Sequence, residues 1–140
     1  MRDNQASSSA YWALRIVFGL LPIVAGADKF AGVLTDWEMY LSPLAARMLP
    51  VSPGTFMTVA GVVEIAVGLG VLAGYARVFG WVAAGWLLAI SLNLLSSGRA
   101  LDIAARDVAL AVAAFALARL AAVHERAAAP VSTPAHGAHA

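Results

Sequence analysis

The sequence contains no cysteine. That excludes disulfides, thiol redox chemistry, cysteine-ligated iron–sulfur clusters and lipidation at Cys. Charge is also scarce: 12% of the 140 residues are Asp, Glu, Lys or Arg, against about 25% in a typical soluble domain. The nine basic residues are scattered rather than gathered into a stripe, which argues against nucleic acid as a partner. The apolar blocks hold no histidine, so haem ligation by His within a membrane is excluded and a metal site is not expected. No serine–histidine–acid constellation, phosphate-binding loop or dinucleotide fingerprint is present. Without a recognisable nucleophile or metal cluster, the expectation is a chain with no catalytic activity of its own, with an enzyme in its own right as the lesser alternative.

What the chain does have is long apolar runs. Four spans are expected, over about 11–29, 55–74, 77–97 and 103–123. Their boundaries carry turn and cap signals: Asp28 and Lys29, then Pro50, Pro53 and Gly54, then Gly74 to Arg77, then Ser96 to Arg99 and Asp102. Helices satisfy their backbone internally, so the sequence predicts an all-α integral membrane four-helix bundle over residues 11–123. Residues 1–10 and 124–140 read as disordered tails, with His124, His136 and His139 solvated. The first apolar block reads as a retained span rather than a cleaved signal, although Ala25-Gly26-Ala27 has the character of a cleavage site. Between spans 1 and 2, Trp37 and Tyr40 mark an amphipathic interfacial segment, with a plain connecting loop as the alternative. The fourth span is alanine-rich and is expected to depend on packing against its neighbours. On span 2, Ala66, Gly70 and Gly74 recur every four residues and offer a contact face within the bundle or between copies of the chain.

Glu64 lies near the middle of the run from Thr55 to Gly74, which carries no other charge. Nine Leu, Ile, Val and Phe residues in that run supply roughly −3 to −5 kcal/mol for insertion. One central charge costs on the order of +2.5 to +3.5 kcal/mol. The span still inserts, but an unpaired carboxylate would consume much of its margin, so Glu64 is expected to be paired or protonated. Gly61 and Gly68 share its face and let a partner helix approach.

With spans alternating in direction and about 1.5 Å of rise per residue, Asp28, Lys29, Glu64, Asn93, Arg106 and Asp107 fall in one half of the bundle. Arg15 lies deeper. This polar cluster is the candidate ligand-binding region, and Arg15–Glu64 and Lys29–Glu64 are its two candidate ion pairs. It reads either as a lock that fixes helix register, as a pocket for a quinone or other small molecule, or as a proton or ion path.

Two stretches resemble the DoxX-like family: Leu14-Arg15-Ile16-Val17-Phe18-Gly19 through Gly26-Ala27-Asp28-Lys29-Phe30, and Gly61-Val62-Val63-Glu64-Ile65-Ala66-Val67-Gly68 followed by Gly74 and Arg77. Tyr40-Leu41-Ser42-Pro43-Leu44 is similar to the YkgB type. The resemblance implies a four-helix protein of the bacterial inner membrane, a non-catalytic accessory subunit of a membrane redox system near a quinone site. It matches the family at Arg15, Lys29, Glu64 and Arg77. Four spans put both termini on one side, and the resemblance makes that side cytoplasmic. Implied partners are the lipid bilayer, a membrane redox enzyme or a second copy of the chain. The rival expectation is a small-molecule or proton-coupled transporter that uses Glu64.

Overall fold

The computed structural model describes residues 2–129, with side chains from Gln5 onward. Among these residues it is entirely helical, with no strand. The order is α1 (Arg2–Ala31), a short 3-10 helix (Trp37–Tyr40), α2 (Pro43–Met48), α3 (Pro53–Leu72), α4 (Ala76–Ser97) and α5 (Leu101–Ala128). The starts follow from local chemistry. Ser42 and Ser52 each accept a backbone N–H three residues on, and Pro43 and Pro53 follow them at the first helical position. Gly74 (φ 107°) makes the turn between α3 and α4, and Gly98 (φ 64°) ends α4 in the left-handed region that glycine tolerates.

Three helices among the described residues are long and apolar enough to cross a membrane: Gln5–Ala31, Pro53–Leu72 and Ala76–Ser97. The fourth expected span falls in α5, an alanine-rich helix outside those three. The first helix starts at Arg2, well before the expected boundary at residue 11. Its polar first turns extend a ladder that the apolar portion already sustains. At the other end α5 continues to Ala128, past the expected boundary at 123, so His124 lies on a helix rather than in a tail. His136 and His139 lie outside the described residues.

Packing divides the molecule into two close pairs, α1 with α3 and α4 with α5. Glycine makes the first pair possible. A Cβ on Gly26 would sit 2.5 Å from the Gly61 carbonyl oxygen, and one on Gly68 would strike the carbonyl of Gly19. The α3 contact face is therefore Gly61–Glu64–Gly68. Ala66, in the expected small-residue stripe, is exposed, and Gly70 packs on Phe79. In the second pair, Gly80 of α4 meets Ala114 and Ala118 of α5. Ala104, Ala111, Ala114, Ala118 and Ala121 are buried, so α5 packs through its alanines, as small residues at helix interfaces do. Val71, Leu94 and Leu117 are fully buried. Outward-facing side chains are apolar in turn: Leu20, Val24, Val62, Leu69, Val82 and Leu92 are all exposed. That surface is compatible with contact to lipid.

Candidate functional site: a carboxylate shared by three helices

Glu64 is buried on α3 and uses both carboxylate oxygens. Lys29 Nζ of α1 lies 2.7 Å from Oε2, with only 6% of the Lys29 and 9% of the Glu64 side chain exposed. Trp86 of α4 donates its indole N–H to Oε1 at 3.2 Å. One carboxylate thus joins three helices. The expected pairing of Glu64 resolves to Lys29 rather than Arg15.

Arg15 is committed elsewhere. It donates from Nε to the Val71 carbonyl (3.1 Å), from Nη2 to the Leu72 carbonyl (2.7 Å) and from Nη1 to the Tyr11 hydroxyl (3.2 Å). Its guanidinium also lies 4.8 Å from the Trp12 ring centre. Val71 is seven residues beyond Glu64, about 10 Å along the helix axis. Arg15 therefore serves the carbonyl end of α3, where a cation complements the helix dipole and the orphan carbonyls. His124 stacks on Tyr11 with ring centres 4.5 Å apart, close to this arginine and not in a solvated tail.

The other half of the Lys29 environment comes from the segment after α1. The ammonium sits 3.8 Å from the Trp37 ring centre, a cation–π contact at short range. Trp37 in turn donates its indole N–H to Asp28 Oδ2 at 2.8 Å. Asp28 Oδ1 accepts from the backbone of Val33 and Leu34, each at 3.0 Å. Asp28 is buried by these contacts and fixes the chain as it leaves α1. The result is one continuous series, Trp86–Glu64–Lys29–Trp37–Asp28.

Asn93 of α4 holds the next stretch of the same segment. Its Oδ1 accepts from Ser42 N (2.9 Å) and its Nδ2 donates to the Tyr40 carbonyl (2.7 Å). Arg106 and Asp107, expected in the cluster, pair with each other. Arg106 Nη2 lies 3.0 Å from Asp107 Oδ1, and the arginine side chain is 63% exposed while the aspartate is 5%. No hydrogen bond or ion pair among the described residues joins either of them to Glu64. The structure thus pairs Lys29 with Glu64 directly, links Asp28 to them through Trp37, sets Asn93 of α4 against the adjoining loop, and leaves Arg15, Arg106 and Asp107 apart.

Two members were not singled out from sequence as partners of the charges: Trp37, read as an interface residue, and Trp86. A signal for Trp86 exists. Glu64 lies ten residues before Gly74 and Trp86 twelve after it, so a tight hairpin at Gly74 brings them to nearly the same depth.

Beside this series lies an open cleft of about 350 Å³ between the end of α1, the 3-10 helix and the start of α3. Lys29, Trp37, Glu38, Met57 and Thr58 line it. It reaches the lysine of the buried pair, and Glu64 is not among its lining residues. No group of three or more His, Asp or Glu side chains suited to a metal ion occurs among the described residues.

No protein-family model matches the chain, and comparison with curated proteins and with solved structures yields no match.

Proposed function

We propose that the chain is a DoxX-like four-span protein of the bacterial inner membrane, acting as a non-catalytic accessory subunit of a membrane redox system. One observation carries the non-catalytic part of this reading. The intramembrane carboxylate, the group most expected to do chemistry in such a helix, has both oxygens engaged by Lys29 and Trp86 in a three-helix lock. A carboxylate so held fixes helix register. The redox association rests on the resemblance of the segments around Arg15, Lys29, Glu64 and Arg77 to the DoxX-like family.

In this reading α5 is the fourth span, held by its buried alanines against α4, and both termini are cytoplasmic. Residues 32–52 lie at the membrane interface. Val33, Leu34, Met39, Leu44 and Met48 leave their apolar side chains exposed there, as interfacial segments do. The cleft beside Lys29 and Trp37 is the place we assign to a quinone ring at the assembled complex, with the indole as its stacking face.

Affinity purification of the full chain from membranes in mild detergent tests the proposal. Co-elution of a redox enzyme is the expected result. A bundle that elutes alone counts against it.

A further inference from the structure

At the end of the bundle that also holds Arg15, three arginines from two helices meet around one small hollow. Arg77 stands in the first turn of α4, Arg126 in the last turn of α5, and Arg119 two turns further in on α5. Together with Trp81 they border a cavity of about 120 Å³. The charge there is poorly compensated. Glu125 reaches Arg77 at 3.5 Å, but both side chains are about half exposed, and such surface pairs are weak. Among the described residues no carboxylate forms an ion pair with Arg119 or Arg126. The hollow keeps an excess of two positive charges.

We propose that this hollow is a headgroup site for an anionic phospholipid. Guanidinium groups are suited to phosphate because their planar forks donate two parallel hydrogen bonds and are weakly hydrated. The depth suits a phosphodiester. Arg77 opens a helix apolar and long enough to span the membrane, which puts the arginines where a span meets the headgroup layer. Trp81, one turn deeper, packs edge-on against Phe115 at 5.2 Å, as aromatic side chains at that boundary do. Ala118, Ala122 and Val123 complete the lining between the arginines. Below Arg119 the outward wall of α5 is apolar, with Phe115 and Val112 exposed, so acyl chains find an apolar track beneath the deepest charge. A soluble anion would use the arginines and leave this track uncovered.

The inference rests on the membrane reading. Protein that does not partition into bilayers would overturn that reading, whereas the lipid site is judged on protein that has inserted. The full chain is reconstituted into vesicles of equimolar phosphatidylglycerol and phosphatidylcholine and extracted in mild detergent. Retained lipids are then counted by native mass spectrometry. Wild type is expected to retain phosphatidylglycerol preferentially. Arg119→Gln and Arg126→Gln are each expected to lower that preference about fivefold. Arg99→Gln, at the opposite end of α4, is expected to leave it unchanged. Equal retention of the two lipids, or an equal loss in Arg99→Gln, overturns the proposal. So does displacement of the lipid by inorganic phosphate beyond that caused by chloride at the same ionic strength, since the site would then take the free anion.

Discussion

Lys29 and Glu64 lie 35 residues apart in sequence and 2.7 Å apart in space, each almost wholly buried. Neither charge could stay ionised at that depth alone without a large desolvation cost. The close contact of α1 and α3 through Gly26 and Gly61 brings the two side chains within reach. A third helix completes the arrangement through Trp86.

Trp86→Phe removes the indole donor and keeps an aromatic ring. A hydrogen bond to a charged group contributes about 1.5 to 3 kcal/mol, and the variant is expected to lose stability in that range. Thermal unfolding in detergent micelles measures it. The loss should shrink when Glu64 is already Gln, because the bond is then no longer charge-assisted.

Glycine substitutions separate helix contact from helix propensity. Gly61→Ala places a methyl group 2.8 Å from the Gly26 carbonyl and 2.9 Å from the Phe30 ring. Backbone cannot yield cheaply, so a loss of about 1 to 3 kcal/mol is expected. At Gly85 of α4 a Cβ meets nothing within 4 Å. Gly85→Ala should therefore be neutral or stabilise by about 0.5 to 1 kcal/mol. Unfolding of the two variants side by side checks the contrast.

Asn93→Ala should loosen residues 40–42 without unfolding the bundle. It strands the Ser42 N–H and the Tyr40 carbonyl, whose partners it removes. Faster amide hydrogen exchange at Leu41, Ser42 and Leu44, with exchange in the middle of α3 unchanged, is the expected outcome.

Transport coupled to Glu64 makes an opposite demand. It requires the carboxylate to exchange partners during turnover. In liposome flux assays Glu64→Gln is expected to behave as wild type does. A flux present in wild type and abolished in the variant would establish the transport reading instead.

Glu64 is legible in the sequence because a single charge in a long apolar run has an obvious cost. Lys29 is legible because helix rise alone places the loop end of span 1 in the same half of the bundle. Arg106 and Asp107 share that half as well. As sequence neighbours they satisfy each other first, a local pairing that depth arithmetic does not register. Trp86 is harder to read, since an indole in an apolar helix has packing as its ordinary role. The apolar blocks of α1, α3 and α4 coincide closely with the helices observed. The ends of α1 and α5 do not, because a helix once nucleated runs on through residues that would not start one.

The central claim is that Lys29 and Glu64 stabilise the bundle as a pair. A double-mutant cycle on unfolding in detergent micelles tests it directly, using Lys29→Met, Glu64→Gln and the combination. Lys29→Met alone should cost about 3 to 5 kcal/mol, because it strands a buried carboxylate. Glu64→Gln should cost less, because the Gln amide oxygen can still accept from the Lys29 ammonium, which also keeps its contact with the Trp37 ring. The double variant should recover much of the loss, giving a coupling energy of roughly 1 to 3 kcal/mol. Strictly additive single losses, with no coupling between the two positions, would contradict the account.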